Sequence, residues 1–275
     1  MTKKKKIFAW TISAILAVII TLAAAVYQRT TGPTYPKDVA VNINSKEYHF
    51  DLSRSNSCNS DCEITVPVND SEVRGFLVYR HYPTTDTWDT VAFTKSSDGV
   101  SAFLPKQPAA GKLEYFLLFR TGNKTFPVLA QTPNVIRFKG DVPGYILAPH
   151  IIFMFLGMLL STFAAFMAGF KLDVSRLLSL ITFILILLGG MILGPFVQKF
   201  AFDAYWTGVP FGWDLTDNKT LIAFIAWIVA LVANRKKLRP GYIIAAAVVT
   251  LAIFSIPHSM FGSQLNYTTG NITTG

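Results

Sequence analysis

Continuous hydrophobic runs and short alternating segments divide this chain into two kinds of region. A membrane-spanning helix needs about 20 mostly apolar residues, and five apolar runs approach or reach that length. These runs cover residues 7–27, 146–170, 177–196, 221–233 and 242–256. The last two are shorter and need neighbouring interfacial residues to complete a span. The pattern therefore predicts a membrane α-helical bundle of five transmembrane helices.

Between the first and second runs the pattern changes to short segments rich in Val, Ile, Phe and Tyr. Turn residues such as Pro, Gly, Asn and Asp separate these segments, which is typical of an all-β sandwich of about 100 residues. The candidate strands are residues 39–43, 48–52, 63–68, 75–82, 90–94, 100–104, 113–119, 126–130 and 135–138. The sequence thus predicts a second, all-β domain over residues 35–145.

Four stretches of this domain resemble an immunoglobulin or fibronectin type III module. They are FLVYR at 76–80, WDTV at 88–91, AFLP at 102–105 and AGKLEY at 110–115. In that family a tyrosine after a Pro/Gly corner hydrogen-bonds back to the chain, and Tyr115 occupies the matching position. The resemblance implies an immunoglobulin-like sandwich and no particular activity. The whole chain is similar to uncharacterised bacterial polytopic membrane proteins, which implies no mechanism.

The distribution of charge indicates how the chain is oriented in the membrane. Charged residues make up only 15% of the chain, and the net charge is +9. Residues 35–145 carry 12 Lys or Arg and 12 Asp or Glu, so the basic excess lies beside the hydrophobic runs. A nucleic-acid-binding protein would carry that excess on its folded domain, and we therefore expect no nucleic-acid partner.

Lys and Arg are enriched on the cytoplasmic side of membrane proteins. With the N-terminus inside, one face of the bundle collects Lys3, Lys4, Lys5, Lys6, Lys171, Arg176, Arg235, Lys236, Lys237 and Arg239. This arrangement predicts a multi-pass protein of the cell (inner) membrane. Its N-terminus would be cytoplasmic, and residues 35–145 and the C-terminus would be periplasmic.

These patterns divide the chain into four parts. We predict an N-terminal transmembrane anchor and linker (1–34), the β-sandwich (35–145), a four-helix transmembrane domain (146–258) and an outer C-terminal tail (259–275). The alternative for the first run is a cleaved signal peptide, because Lys residues precede it and Ala23-Ala24-Ala25 near its end resembles a cleavage site. Its apolar stretch is longer than the usual 7–15 residues of a signal peptide, which favours an anchor.

Cys58 and Cys62 are the two cysteines of the chain, and both lie in the predicted outer domain. An oxidising compartment favours a disulfide between them. The alternative is a metal or redox pair, but the spacing is not Cys-x-x-Cys and no second pair exists. We predict a structural disulfide.

The loop between the third and fourth runs has the most unusual composition. Residues 198–219 combine six aromatic residues with three aspartates, and Gly and Pro interrupt any helix. An interfacial aromatic belt is one interpretation, and a binding loop is the other. The binding interpretation predicts a site formed by Trp206, Trp213, Asp214, Asp217 and Lys219. Asp217 and Asn218 would cap the fourth helix.

Two histidines belong to the same predicted membrane face. His150 begins the second run, and His258 follows the fifth. Together with Asp203 they would ligate a metal, or the two histidines would hold haem b. The other interpretation is an interfacial position that suits the apolar body and polar tip of His. We predict no cofactor and keep the metal or haem site as the alternative.

No catalytic motif appears in the chain, and the last four spans have no charged residue between their interfacial ends. Ion-coupled carriers generally need such intramembrane charges. Our hypothesis is a non-enzymatic accessory, assembly or ligand-binding component with a membrane or envelope protein partner. The alternatives are a metal or haem redox protein and a passive channel. Small residues at Gly190 and Gly194 favour close helix packing within the chain or, alternatively, in a homo-oligomer.

Overall fold

The computed structural model describes residues 2–258 and 260–274. These residues form five helices: α1 (Lys3–Thr30), α2 (Gly144–Gly169), α3 (Val174–Phe202), α4 (Leu215–Ala233) and α5 (Pro240–Ser255). Helices α1 to α4 are long and apolar enough to cross a membrane, whereas α5 is apolar but has only 16 residues. The prediction of long apolar helices is therefore confirmed for four of the five runs.

Helix α1 packs on the other helices through a stripe of small residues. Its buried positions are Ala9, Ser13, Ala17, Thr21 and Ala24, which recur at the three- and four-residue spacing that places side chains on one helix face. Most large apolar residues of α1, among them Ile15, Ile19 and Leu22, are exposed, whereas Ile12, Leu16 and Ile20 are half-buried. Close to its C-terminal end, the Gln28 Nε2 donates a hydrogen bond to the carbonyl of Phe254 in α5 (2.8 Å).

Helix α3 changes its winding in the middle. Residues Leu187–Leu193 form a π-helical segment between two α-helical parts. Gly190 lies in this segment against Thr220 and Met154, and Gly157 of α2 lies against Ile186 of α3. These glycines therefore face other helices of the same chain. Whether a homo-oligomer forms stays a prediction.

The region between α1 and α2 contains eleven strands. They are β1 (Lys37–Ile43), β2 (Lys46–Leu52), β3 (Ser55–Ser57), β4 (Cys62–Val66), β5 (Arg74–His81), β6 (Asp89–Ala92), β7 (Thr94–Ser96), β8 (Gly99–Leu104), β9 (Lys112–Thr121), β10 (Lys124–Val128) and β11 (Asn134–Lys139). Each of the nine predicted segments overlaps one of these strands. The additional strands, β3 and β7, have three residues each.

Strand β9 is the centre of the larger sheet. This sheet has the order β3-β11-β9-β5-β6, with β10 also paired to β9. A smaller sheet has the order β4-β8-β7, and β1 pairs with β2 in a hairpin. All pairs are antiparallel except β3 with β11. Alternate side chains of the two sheets and the hairpin, among them Leu77, Leu104 and Leu117, share one hydrophobic cluster.

Tyr115 of β9 and Cys62 belong to this hydrophobic cluster, and Cys58 packs against it. The Tyr115 hydroxyl donates to the carbonyl of Ser53 (2.7 Å) and accepts from the Asn134 amide (2.9 Å). Its main-chain partner is 62 residues earlier, whereas the tyrosine corner of the immunoglobulin family spans a few residues. Cys58 and Cys62 are free thiols in this structure, so the disulfide stays a prediction.

The C-terminal tail folds back onto the β region. Strands β12 (Ser263–Leu265) and β13 (Ile272–Thr274) form a hairpin, and the Leu265 amide donates to the carbonyl of Ala110 (3.1 Å). The Tyr267 hydroxyl donates to the carbonyl of Lys112 (2.8 Å). Ser259 and Gly275, which the predicted tail includes, lie outside the described residues. The tail and the β region therefore occupy the same end of the helical bundle.

Candidate functional site

A cavity of about 410 Å³ lies where the β region, the tail and the helix ends meet. This volume is within the range of about 300–1,000 Å³ that is usual for small-molecule sites. Most of its lining is apolar. Its polar members come from both regions and are Gln28, Arg137, His150, Gln198, Asp214, Thr216, Asp217, Lys219, Thr220, His258 and Ser263.

Helix α2 supplies the apolar wall. Leu147, Ile151, Met154, Phe155 and Met158 line the cavity and recur at the spacing of one helix face. From the first to the last of them the wall extends roughly 16 Å, at about 1.5 Å per residue. The cavity is therefore elongated along α2, with its charged groups gathered toward the β region.

Arg137 brings the β region into this cavity. It lies on β11 and is 6% exposed. Its guanidinium stacks over the ring of Phe202 at the end of α3 (5.2 Å), and its Nη2 donates to the carbonyl of Gly262 (3.3 Å). Its Nη1 is buried and has no hydrogen-bond partner in the described part of the chain. Burial lowers the pKa of Arg137 to about 10, which leaves it cationic at neutral pH.

The chain after β11 approaches α3 closely. The Gly140 amide donates to the carbonyl of Ala201 (2.9 Å). A side chain at position 140 would overlap the carbonyl of Phe200, so this contact requires glycine. The contact fixes the distance between the β region and the end of α3, and with it the position of Arg137.

Asp214 joins the aromatic loop to the tail. It is the N-cap of α4, and its Oδ1 accepts from the Thr216 amide (2.8 Å). Its Oδ2 accepts from the amide and the hydroxyl of Ser263 (2.8 and 3.0 Å) and from the hydroxyl of Thr207 (3.0 Å). The prediction that Asp217 and Asn218 cap this helix is wrong, because the helix begins earlier, at Leu215.

Asp217 holds the loop onto the first turn of α4. Its Oδ2 accepts from the amides of Thr207 (2.6 Å) and Gly208 (3.0 Å). Asn218 acts similarly, since its Oδ1 accepts from the Val209 amide (2.8 Å). Asp214 and Asp217 are thus tied to backbone N–H groups and hydroxyls, which is a common way to stabilise buried polar groups.

Lys219 is 2% exposed and reaches across to the end of α5. Its Nζ donates to the carbonyls of Ile256 (2.8 Å) and Pro257 (3.3 Å). Carbonyls that end a helix carry partial negative charge, which accounts for a cation there. No carboxylate in residues 2–258 or 260–274 lies within 4.0 Å of the charged nitrogens of Lys219 or Arg137.

The structure brings both candidate histidines to the cavity. The His150 Nδ1 pairs with the carbonyl of Gly189 (2.8 Å), so Nδ1 carries the proton in that pair. His258 is exposed and lines the cavity. Burial first, and the charge of Lys219 second, lower the pKa of His258 to about 4.

The remaining predicted residues are divided between the cavity and the surface. Trp206 is half-buried and lines the cavity. Trp213 and Phe211 are 78% and 81% exposed at the tip of the loop. Asp203 is exposed and pairs with Lys199 (2.6 Å), and it does not line the cavity. Within the described ranges, no group of three His, Cys, Asp or Glu side chains is arranged to hold a metal ion.

Sequence reasoning missed Arg137, Gln198 and Ser263. Arg137 lies in an ordinary alternating strand, and Ser263 lies in a tail without a recognisable pattern. The Gln198 amide donates to the hydroxyls of Thr207 (2.7 Å) and Ser263 (3.3 Å). No local signal marks these residues, because their common site is formed by segments from distant parts of the chain.

We compared the chain with family models, with curated proteins and with solved structures, and none of them matched.

Proposed function

We propose that this chain is a multi-pass membrane protein that binds an amphipathic ligand without transforming it. The ligand would lie in the cavity between an outer β-sandwich and the outer ends of the helices. The single observation that carries this proposal is the make-up of the cavity. It combines an elongated apolar wall on α2 with buried polar and charged groups at one end. Such a site suits a molecule with a hydrocarbon part and a polar head.

Several features support the membrane setting of the proposal. The Lys and Arg distribution favours a cytoplasmic N-terminus and a periplasmic β region in the inner membrane. The short helix α5 would complete a fifth span with its interfacial neighbours. Helix α1 would be a retained anchor, because its stripe of small residues packs on the other helices. The shared core of two sheets supports an immunoglobulin-like sandwich for residues 35–145.

The position of the cavity also supports a role for the protein as an accessory or binding component. Its charged groups hold helix ends, loop and tail together through hydrogen bonds, which suits a structural and binding role. The protein partner, the metal or haem site and the passive channel stay predictions.

Photocrosslinking tests the proposal directly. The purified protein in lipid nanodiscs would be irradiated with hexadecanol that carries a diazirine on its chain, and adducts would be located by mass spectrometry. We expect adducts on Met154 and Met158, which line the cavity. Ile152 is 53% exposed and does not line the cavity, so its adducts report the surrounding lipid.

A cavity-filling variant provides the decisive comparison. Gly194 lines the cavity, and a Cβ there would lie 4.0 Å from the His150 ring. Gly194→Leu should therefore reduce the adducts on Met154 and Met158 and leave those on Ile152. Gly241→Leu is the matched control, because position 241 is helical and nothing lies within 4 Å of its Cβ. Equal cavity labelling in both variants would overturn the proposal.

A further inference from the structure

We infer that the ligand of this cavity is an amphipathic acid, with one carboxylate or phosphate bound by Arg137 and a hydrocarbon chain along α2. This inference rests on the proposed function and names the chemistry of the ligand. The observation behind it is an incompletely satisfied cation. Arg137 is buried, it lines the cavity, and its Nη1 has no hydrogen-bond partner among residues 2–258 and 260–274.

A buried guanidinium nitrogen without a partner is costly, because the group has lost its hydration and gained nothing in return. The other interactions of Arg137 do not remove this cost. Its Nη2 donates to one carbonyl, at 3.3 Å, and its face stacks on Phe202. Neither interaction offers an acceptor to Nη1. Arg137 also lines the cavity, where a ligand oxygen would meet the guanidinium, and carboxylates and phosphates fit the planar donor fork of Arg best.

The acids of the site do not take this role. Asp214 and Asp217 also line the cavity, and their charges balance those of Arg137 and Lys219. Their oxygens, however, accept from the amides of Thr216, Ser263, Thr207 and Gly208. The carboxylates are therefore committed to holding the loop and the tail, and no ion pair within 4.0 Å joins them to Arg137 in the described structure.

Lys219 provides a second positive charge in the same cavity. The Lys219 Nζ has three donor hydrogens, and two carbonyls accept from it. His258 remains neutral at pH 7, because burial and the nearby Lys219 charge lower its pKa to about 4. It therefore adds no charge of its own. The head-group end of the site thus offers two cations beside two carboxylates that already accept backbone hydrogen bonds, and the apolar wall from Leu147 to Met158 accommodates the chain.

The test compares two probes with the same chain. Hexadecanoic acid and hexadecanol, each with a diazirine at the same chain position, would be crosslinked to the full-length protein at neutral pH. We expect the acid to label the cavity residues about tenfold more efficiently than the alcohol, which corresponds to about 1.4 kcal/mol. Equal labelling by the two probes would overturn this inference and leave the proposed function intact. Absence of cavity labelling by both would overturn the proposed function itself.

Arg137→Gln should bring the ratio of acid to alcohol labelling down to about one. The ratio is the readout, because a loss of folding would lower both signals together. Arg137→Lys should restore part of the preference, because it keeps the charge but lacks the fork. Arg120→Gln is the matched control, since Arg120 also lies on a strand over a Phe ring but is exposed. A loss of preference in Arg120→Gln as large as in Arg137→Gln would contradict the assignment.

Competition distinguishes the sources of the acid. Unlabelled hexadecanoate and lysophosphatidate of the same chain length would each displace the acid probe, and the stronger competitor identifies a fatty acid or a phospholipid head group. Acetate and inorganic phosphate at equal concentration should displace little, because they lack the chain. Full displacement by either small anion would overturn the requirement for an amphipathic ligand.

Discussion

The β region and the helical region bury opposite kinds of side chain. The interior of the β region consists of large residues, such as Leu77, Leu117, Phe119 and Phe138, which are fully buried. The interior of the helical region consists largely of small ones: Ala164, Ala168, Ser175, Ser179, Thr182, Ala223, Ala230, Ala246, Ala247 and Thr250. The β region therefore buries its large side chains, and the helical region buries mainly its small ones.

The outer surfaces show the reverse difference. Large apolar side chains that are exposed lie mostly on the helices, for example Leu180, Ile225 and Val248, whereas few are exposed on the strands. In water, burial of large apolar groups drives folding. In lipid that drive is absent between helices, and small residues let backbones pack closely. The comparison supports different surroundings for the two regions, water for the strands and lipid for the helices.

The β region and the helical region meet at the cavity. The buried groups there are charged and polar, unlike the large or small apolar residues buried elsewhere. Arg137 and Lys219 are buried there although they are charged. Asp214 and Ser263 link loop to tail, and Gly140 links the β region to α3. A site of this kind is costly to fold, which agrees with the binding function that we propose for it.

Truncation of a large side chain should give the largest difference in stability between the β region and the helical region. Leu117→Ala should lower the free energy of unfolding by about 2–5 kcal/mol, because it leaves a void in a packed core. Leu180→Ala, at a position 45% exposed on α3, should change it by at most about 0.5 kcal/mol. Denaturation of the purified protein in detergent, followed by near-ultraviolet circular dichroism, measures both. Similar losses for the two variants would contradict the proposed difference in surroundings.

Enlargement of a small side chain should change stability by a smaller amount. The change should depend strongly on whether the position is buried. Ala246 of α5 is buried against other helices, and its neighbour Ala245 is exposed. Ala246→Leu should destabilise the protein by about 1–3 kcal/mol through overpacking. Ala245→Leu makes the same chemical change toward the outside and should be close to neutral. Thermal unfolding in detergent compares the pair, and an equally damaging Ala245→Leu would show that the outward face is also packed.

The third expected effect is confined to acid pH and concerns stability at the junction. The pKa of His258 is about 4 in the folded protein against an ordinary value of 6.5. Between these values the unfolded chain takes up a proton that the folded chain does not, so stability should fall as pH decreases from about 6.5 to about 4. Well above pH 6.5 both states are neutral at this position, and this loss of stability is absent.

His258→Gln should remove this part of the pH dependence. The readout is the melting temperature at several pH values between 4 and 7, expressed as the difference between variant and unmodified protein. His49→Gln, at an exposed histidine of β2, is the control and should leave the profile unchanged. A profile of His258→Gln that runs parallel to that of the unmodified protein would contradict the assigned pKa.

Much of the architecture could be predicted because its signals are local. A run such as 146–170 is apolar throughout, and α2 occupies Gly144–Gly169. Alternation over residues 113–119 indicates a strand, and β9 occupies Lys112–Thr121. The error at the start of α4 arose because the apolar run begins only at Leu221, whereas the helix begins at Leu215. The cap is therefore Asp214, whose Oδ1 accepts from the Thr216 amide.

The candidate site could be predicted only in part. Lys219, Asp214 and Trp206 were expected from an aromatic loop of unusual composition, and they line the cavity. Trp213 and Asp203 belong to the same pattern but are exposed. Sequence composition cannot separate these two groups, because the direction of each side chain depends on how the loop folds over α4.

The amino-acid sequence by itself determined the apolar helices, the strands and the uneven placement of charge, since each follows from neighbouring residues and their periodicity. The tertiary structure alone decided that Arg137, His150, Lys219 and His258 line one cavity. These residues come from a strand, two helices and the segment after a third, and pairings over such distances depend on the packing of the whole chain. The same packing leaves the Nη1 of Arg137 without a protein partner in the described structure.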